Sequence, residues 1–237
     1  MEKTWQTPSG NYYTHIKEML DEPHLLIAGA TGSGKSVLVN TLIYTALLDA
    51  PCQRQFILID PKSVELMDYE KLPHTLRYAD DLNDIVRALE DTCSLMDRRF
   101  KYMKENHLKK FDGSDVYVII DEWVDLKFQL GKKAETPMIR LASKARASKI
   151  HLILCTQRPT RDVIDGAIRA NFTSKVCLRT DSRQESYNVL ERGGAELLPK
   201  YGEGIYKATS EKPVIVNIPM TSEEDIRYRV EWWMRQK

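Results

Sequence analysis

LLIAGATGSGKSVLVN, residues 25–40, places a glycine-rich loop between an apolar run and an amphipathic segment. The loop fits the pattern G-x-x-x-x-G-K-[ST], with Gly29, Gly34, Lys35 and Ser36 at the fixed positions. In such a loop the backbone N–H groups face phosphate oxygens, the lysine reaches the β- and γ-phosphates, and the serine hydroxyl binds Mg²⁺. The residues predicted to contact a nucleoside triphosphate are Gly29, Thr31, Gly32, Ser33, Gly34, Lys35, Ser36 and Val37.

The flanking sequence favours this interpretation over a glycine-rich turn that meets the pattern by chance. Residues 25–28 form an apolar run typical of a buried strand. Apolar side chains between 37 and 48 recur at helical spacing. A strand, a phosphate loop and a helix in this order predict nucleotide binding.

Charge and length limit the partners and the number of domains. The chain has 237 residues, with 35 Lys and Arg against 34 Asp and Glu and a formal net charge of +1. No global positive field therefore indicates a nucleic-acid partner, and any such site must be local. Because we find no internal repeat or linker, we expect a lead-in over residues 1–21 and one domain over residues 22–237.

The cysteines and histidines indicate neither a metal cluster nor a disulfide framework. Cys52, Cys93, Cys155 and Cys177 are far apart and form no C-x-x-C pair, and the five histidines are dispersed. The cysteines are predicted to be reduced core residues of an intracellular protein. No apolar run approaches about 18 residues and the start lacks a signal-peptide core, so the chain is predicted to be cytoplasmic without membrane insertion.

Strand-like and helix-like segments alternate along the chain. Strands are predicted at 24–28, 55–59, 116–120, 151–156, 175–179, 204–208 and 213–218. A long amphipathic helix is predicted from about 80 to 106, and a last helix over 222–236 with Thr221 and Glu224 in capping-box spacing. The pattern predicts an α/β fold, a mainly parallel twisted sheet with helices on both faces.

A second chemical signature is VYVIIDEW, residues 116–123, in which two acids follow an apolar strand. The carboxyl end of a parallel strand delivers such charges to the crevice where these sheets bind ligands. Asp121 is predicted to hold Mg²⁺, and Glu122 to polarise the attacking water. Solvated acids at a strand end are the alternative interpretation.

Six stretches together resemble the motor domain of the FtsK/SpoIIIE family of double-stranded DNA translocases. They are PHLLIAGATGSGKSVLVN (23–40), ILIDPKSVEL (57–66), LPH (72–74), VIIDEWVDL (118–126), RLASKARASKIHLILCTQRPTRDVIDGAIRAN (140–171) and GAELLPKYGEGIY (194–206). The resemblance covers roughly residues 22–208 in order. It implies a RecA-like P-loop ATPase of the FtsK/HerA group that assembles as a hexameric ring and drives duplex DNA through its pore.

The resemblance also implies a role for Arg146, and the position of Gln157 at the end of a strand indicates a second role outside the nucleotide motifs. Arg146, the arginine in KARAS, would act on the γ-phosphate of a neighbouring subunit, so hydrolysis would depend on assembly. A surface charge on a helix is the alternative for Arg146. Gln157, which follows Thr156 at a strand end, would sense the γ-phosphate, and otherwise it caps or packs locally.

Three arginines are predicted, by the same resemblance, to hold DNA. They are Arg158 in TQRP, Arg169 in AIRAN and Arg183 in DSR. Such side chains grip phosphates without reading bases, as a motor that moves over any sequence requires. Ordinary surface arginines are the alternative. The segment between Lys175 and DSR is shorter than in the family, so the length of the pore loop is not carried over.

The predicted function is an ATP-dependent motor that pumps double-stranded DNA through a homo-oligomeric ring, with ATP and Mg²⁺ as cofactors. Two alternatives stay open. One is a nucleotide-gated transfer or packaging ATPase or scaffold of a mobile element, which needs a partner protein. The other is a small-molecule P-loop NTPase. We also expect a membrane-anchored or DNA-reading partner, because the sequence has no room for an anchor or a winged-helix reader.

Overall fold

The structure, a computed structural model, describes residues 11–49, 53–164, 166–209 and 211–236. Within these ranges eight strands form one sheet: β1 (His24–Ala28), β2 (Arg54–Ile59), β3 (Thr75–Ala79), β4 (Asp115–Ile120), β5 (Ile150–Thr156), β6 (Ser174–Cys177), β7 (Glu203–Lys207) and β8 (Val214–Asn217). Their order across the sheet is β3-β2-β4-β5-β1-β6-β7-β8. The strands from β3 to β6 run parallel, and β7 and β8 continue the sheet antiparallel to their neighbours.

Helices cover both faces of this sheet. One face carries α1 (Asn11–Asp21), α2 (Lys35–Asp49) and α8 (Glu223–Arg235). The other carries α3 (Leu82–Glu105), α4 (Trp123–Leu130), α5 (Lys132–Lys144), α6 (Gly166–Asn171) and α7 (Arg183–Leu190). Successive side chains of a strand point to opposite faces, so Val118 and Ile119 of β4 pack into different apolar clusters. Burial on both faces explains the near-continuous apolar runs of the central strands.

The predicted α/β fold with a mainly parallel sheet and helices on both faces is confirmed. The seven predicted strands correspond to β1, β2 and β4–β8, with ends that differ by at most two residues. The long helix predicted from about 80 to 106 is α3. Most of these elements were predictable because they bury a complete apolar face or stripe, whereas β8, in which only Val216 is buried, was predicted from its run of β-branched residues.

The edge strand β3 was missed. Its sequence, TLRYA, lies mostly half-buried and contains Arg77, which breaks the apolar pattern. Arg77 forms ion pairs with Asp84 and Asp91 of α3, so its charge is held beside the sheet edge. An edge strand pairs on one side only and does not need a continuous apolar run, which is why the sequence pattern did not reveal it.

The helix α1 was also missed. Ile16, Met19 and Leu20 are buried against the cluster that contains α2, and the Tyr117 hydroxyl donates to the Leu20 carbonyl at 3.1 Å. The three apolar positions have helical spacing but span little more than one turn, too short a pattern to predict a helix. The domain boundary at residue 22 stays a prediction.

The cap predicted for the last helix was wrong by one residue. Ser222, not Thr221, is the N-cap of α8, and its hydroxyl accepts a hydrogen bond from the Asp225 N–H at 3.1 Å. The Thr221 hydroxyl lies 3.0 Å from that of Thr41 in α2. A tertiary hydrogen bond therefore takes Thr221 away from the capping position, and no pattern within the helix signals this.

The described part of the chain contains three free cysteines and no helix long and apolar enough to cross a membrane. Cys93, Cys155 and Cys177 are buried. Burial raises the pKa of Cys177 to about 12, which keeps its thiol protonated. Cys52 lies outside the described residues.

Candidate nucleotide site

The glycine-rich loop connects the carboxyl end of β1 to the first residue of α2. Because β1 lies between β5 and β6, the loop sits in the middle of the edge where the parallel strands end. Backbone hydrogen bonds fix its start to both sides: the Gly29 N–H donates to the Thr156 carbonyl at 3.3 Å, and the Ala30 N–H to the Arg179 carbonyl at 2.9 Å. Open α/β sheets bind their ligands at this edge.

The geometry of the loop favours glycine at Gly29 and Gly34 for different reasons. A Cβ on Gly29 would lie 2.5 Å from the Ser33 hydroxyl oxygen and 2.8 Å from the Leu178 Cβ. Gly34 has a φ of +99°, a conformation that L side chains rarely adopt. A side chain at either position would distort the loop that leads into α2.

Lys35 is buried at the start of α2, and its Nζ donates a hydrogen bond to the Gly29 carbonyl at 3.0 Å. Burial lowers the pKa of Lys35, and the carboxylates of Glu122 and Asp121 oppose that shift. The ammonium group therefore lies within electrostatic range of both acids, which follow a different strand. The structure brings these three predicted residues together.

The other predicted loop residues surround Lys35. Thr31 and Gly32 are exposed at the top of the loop, whereas Gly34, Ser36 and Val37 are half-buried. Ser33 is buried, and its hydroxyl has no hydrogen-bond partner in the described part of the chain. The loop thus offers both buried and exposed polar groups at the edge of the sheet.

Glu122 is almost completely buried, with 1% of its surface exposed. Its Oε1 accepts a hydrogen bond from the Gln157 N–H at 3.0 Å. Its Oε2 is buried without a hydrogen-bond partner among the residues that the structure describes. Burial raises the pKa of Glu122, and the Gln157 N–H and the Lys35 charge oppose this rise. One carboxylate oxygen is thus held in place while the other is left to accept a proton or a water molecule.

Gln157 connects this carboxylate to the glycine-rich loop. Its side-chain Oε1 accepts a hydrogen bond from the Thr31 hydroxyl at 2.8 Å, while its backbone N–H binds Glu122. Gln157 directly follows β5, the strand between those that carry Glu122 and the loop. A change at the tip of the loop can therefore be transmitted to Glu122 through one residue.

Asp121 lies beside Glu122 at the end of β4, where its N–H donates to the Ile59 carbonyl at 3.1 Å. Burial, together with the nearby carboxylates of Glu65, Asp60 and Glu122, raises the pKa of Asp121 to about 7, against the opposing charge of Lys62. Several acids that crowd a partly desolvated site disfavour one another's ionised forms. A bound cation would relieve this repulsion.

The oxygen atoms at this edge fit a hard divalent cation. Ser36 in the first turn of α2 and Asp121 after β4 supply a hydroxyl and a carboxylate, the ligand types that Mg²⁺ prefers. The buried Glu122 Oε2, which has no partner within the described ranges, adds one unsatisfied oxygen. Buried polar atoms of this kind are normally bonded, so the site is incomplete without further polar groups or solvent.

Arg146 lies on the opposite side of the sheet from the glycine-rich loop, where the parallel strands begin rather than where they end. It belongs to the short 3-10 helix Ala145–Ser148, which directly precedes β5, and its side chain is exposed. It lines a cavity of about 400 Å³ together with Glu18, Glu22 and His151, which lie in α1 or at the starts of β1 and β5. Within one chain the structure therefore does not bring Arg146 to Lys35.

The three arginines predicted to hold DNA have different environments. Arg158 and Arg183 are exposed just after β5 and after β6, the two strands that flank β1. Arg169 is half-buried in α6, where its guanidinium donates to the Ile164 carbonyl at 3.4 Å. Two of the three arginine side chains are thus exposed near the end of the sheet that carries the glycine-rich loop.

Sequence reasoning gave no role to two groups of residues beside this site. The loop 60–66 follows β2 and brings Lys62 and Glu65 close to Asp121. Arg179 and Lys200 line a cavity of about 200 Å³ on the outer side of the glycine-rich loop. The stretches ILIDPKSVEL and GAELLPKYGEGIY contributed to the resemblance, but their spacing alone does not reveal these contacts.

Comparison with known proteins identifies the family. The model of the FtsK/SpoIIIE family matches residues 7–116 and 112–161. The DNA translocase FtsK of Pseudomonas syringae pv. tomato is 34% identical over 92% of this chain and 32% of its own length. The DNA translocase FtsK of Vibrio vulnificus is 35% identical over 92% of this chain and 26% of its own length. The chain thus spans about a third or less of these relatives.

Solved structures share the fold. The pCW3 conjugation coupling protein TcpA, with ATPγS, has a TM-score of 0.81 at 24% identity over 92% of this chain and 66% of its own. The type VII secretion ATPase EccC of Thermomonospora curvata has a TM-score of 0.78 at 24% identity over 90% and 28%. The genome packaging NTPase B204 of Sulfolobus turreted icosahedral virus 2 has a TM-score of 0.52 at 15% identity over 85% and 99%.

Proposed function

The chain belongs to the FtsK/SpoIIIE family, and from this premise we propose that it is an ATPase motor that moves double-stranded DNA through a homo-oligomeric ring. Its relatives are named DNA translocases, but the chain spans only about a third of their length. DNA translocation, which the names of these longer relatives state, is therefore proposed for this chain. The cytoplasm, where ATP and duplex DNA meet, is the proposed location.

The observation that carries the proposal is the hydrogen-bonded connection from Glu122 through Gln157 to Thr31. Glu122 accepts a proton from the attacking water through its unpaired Oε2, and Lys35 stabilises the charge on the transferred phosphoryl group. Gln157 reports loss of the γ-phosphate to the loop that carries Arg158, because both follow the end of β5. Hydrolysis is thereby coupled to movement of an exposed loop.

ATP and Mg²⁺ are the proposed cofactors. The glycine-rich loop holds the phosphates, while the Ser36 hydroxyl and the Asp121 carboxylate hold the metal ion. When bound, Mg²⁺ neutralises charge on the phosphate oxygens. The negative charge that crowds Asp121 gives this ion a favourable site.

Mg²⁺ binding is expected to depend on pH near neutrality. Because the pKa of Asp121 is raised to about 7, its carboxyl is protonated below that pH and must lose the proton to bind a cation. The apparent affinity for Mg²⁺ should therefore fall about tenfold from pH 8 to pH 6. Titration of nucleotide-loaded protein with Mg²⁺ measures this dependence. Asp121→Asn should bind Mg²⁺ weakly at both pH values, and equal affinity of the unaltered chain at both would contradict the assignment.

Arg146 is proposed to act on the nucleotide of a neighbouring subunit. It is exposed at the sheet edge opposite the glycine-rich loop, so it reaches a nucleotide only when a second copy packs head to tail on that edge. Repetition of such a contact gives a ring when the rotation between neighbours closes on the first subunit, and we propose that it closes as a hexamer. ATP hydrolysis then depends on assembly.

DNA is proposed to bind where Arg158 and Arg183 project, beside the ends of β5 and β6. Arg169, which is half-buried in α6, is assigned a weaker contact with DNA or a contact formed only after α6 moves. A chain with a formal net charge of +1 needs such a local site, because it has no general attraction for DNA. A membrane-anchored or DNA-reading protein is the proposed additional partner.

Salt is expected to weaken stimulation of ATP hydrolysis by DNA. Each phosphate neutralised by an arginine releases counterions, so the logarithm of the apparent DNA affinity should fall with the logarithm of salt at a slope of about −0.9 per contact. ATPase assays with a linear duplex over a range of salt concentrations measure the slope. Arg158→Ala and Arg183→Ala should each remove one phosphate contact and so make the slope shallower by about 0.9.

The salt experiment also separates the proposed function from its alternatives. Activity without DNA serves as the control and should respond much less to salt. Hydrolysis that duplex DNA does not stimulate at any salt concentration would contradict a DNA motor and favour a small-molecule NTPase. Nucleotide binding without turnover would favour a nucleotide-gated scaffold.

A further inference from the structure

The loop 60–66, DPKSVEL, is ordered by a buried carboxylate at the end of β2. Asp60 is fully buried, and its Oδ2 accepts hydrogen bonds from the N–H groups of Val64 at 3.0 Å and Leu66 at 2.9 Å. Ser63 has a φ of +55°, which is uncommon for a residue with a side chain, and its hydroxyl donates to Asp80 at 2.9 Å. Such a loop holds its exposed side chains in defined positions.

Lys62 extends from this loop toward the proposed ATP site. Its Nζ lies 3.2 Å from the Oδ2 of Asp125, in the first turn of α4. The loop itself starts beside the catalytic acids, because β2 pairs with β4 and the Asp121 N–H bonds to the Ile59 carbonyl. Lys62 thus approaches the site from the side opposite to Lys35, which comes from the glycine-rich loop.

The charge of Lys62 acts on the whole proposed site. Burial has the largest effect on the pKa values of Lys35, Asp121 and Glu122. To this the Lys62 ammonium adds a further lowering for Lys35 and an opposing, lowering effect for both acids. The Lys62 ammonium therefore lies within electrostatic range of Lys35 and of both carboxylates.

We propose that Lys62 is a second phosphate-binding ammonium group, which Asp125 holds in the absence of nucleotide and which turns to the γ-phosphate when ATP binds. This inference rests on the proposed ATP site. The side chains of Lys62 and Asp125 are 43% and 35% exposed. An ion pair this accessible to water contributes little free energy, so Lys62 can leave Asp125 for another anion. A terminal phosphate offers more negative charge and more acceptor oxygens than one carboxylate. The flexible lysine stem permits the movement.

A purely structural role makes a different prediction. If the ion pair only braces the loop 60–66 against α4, removal of either partner breaks the same contact and has the same consequence. If the Lys62 ammonium binds the γ-phosphate, removal of Lys62 harms ATP binding, whereas removal of the Asp125 charge frees Lys62 for the phosphate. The two variants therefore distinguish the roles.

The experiment compares the affinities for ATPγS and ADP, each with Mg²⁺, by competition against a fluorescent nucleotide. Lys62→Met should weaken ATPγS binding by about tenfold and ADP binding by less than about twofold, since only the triphosphate carries the γ-phosphate. Asp125→Asn should retain the affinity of the unaltered chain for ATPγS or increase it. Lys62→Arg keeps the charge and should recover part of the loss.

Three results would overturn the inference. They are equal weakening of both nucleotides by Lys62→Met, no weakening of either, and the same loss of ATPγS affinity in Asp125→Asn as in Lys62→Met. Thermal unfolding of each variant checks folding, and Lys62→Gln provides a second neutral side chain if Lys62→Met is unstable. Failure of the unaltered chain to bind either nucleotide would instead contradict the proposed ATP site, and the inference with it.

Discussion

Replacement of Arg146 by alanine is expected to lower the maximal rate of ATP hydrolysis by about a thousandfold while leaving the affinity for ATP nearly unchanged. Arg146 is exposed at the edge of the sheet opposite its own glycine-rich loop, so it cannot hold the nucleotide of its own chain. A cation inserted by a neighbour stabilises charge that develops in the transition state. Steady-state hydrolysis and nucleotide binding, measured on the same preparation, test both parts.

Two controls separate a catalytic contact from a general surface charge. Lys144→Ala removes another exposed cation from the same segment and should hydrolyse ATP normally. A mixture of Arg146→Ala with Lys35→Ala should regain activity, because some interfaces then combine an intact loop from one variant with an intact arginine from the other. Normal turnover by Arg146→Ala alone would contradict the assignment.

Replacement of Glu122 by glutamine is expected to lower hydrolysis by at least about a hundredfold and to leave ATP bound. The amide keeps an oxygen that can accept from the Gln157 N–H, so the shape of the site is retained. It cannot accept a proton from water at the position of the unpaired Oε2. Rapid-quench hydrolysis together with retention of labelled ATP on a filter distinguishes loss of chemistry from loss of binding.

Lys35→Ala is the matched comparison for this variant. It removes the buried ammonium and should lose nucleotide binding as well as turnover, whereas Glu122→Gln should accumulate ATP-bound protein. Hydrolysis by Glu122→Gln at the rate of the unaltered chain would show that another group activates water. Loss of ATP binding in that variant would assign Glu122 to binding.

The features that could be predicted are those that a short stretch of the sequence specifies by itself. The glycine-rich loop, Lys35 and the pair Asp121–Glu122 lie directly after apolar strands, and parallel strands bring their carboxyl ends to one edge. Strand runs buried on both faces gave most of the sheet for the same reason. Lys35 and Glu122 both follow the carboxyl ends of parallel strands, so their proximity could be predicted from the sequence.

Features that depend on strand order and burial were not predictable. Lys62 reaches Asp125 because β2 pairs with β4, an order that segment spacing does not specify. The buried Asp60 that organises this loop looks like an ordinary acid before a proline. The contact between Thr31 and Gln157 joins positions 126 residues apart and needs β5 to lie next to β1.

Steady-state ATP hydrolysis as a function of protein concentration, with and without linear duplex DNA at low salt, tests the central claim most directly. A ring that completes each ATP site with Arg146 from a neighbour and that binds DNA should show specific activity that rises with protein concentration and rises further with DNA. Specific activity that is independent of both would contradict the proposed motor.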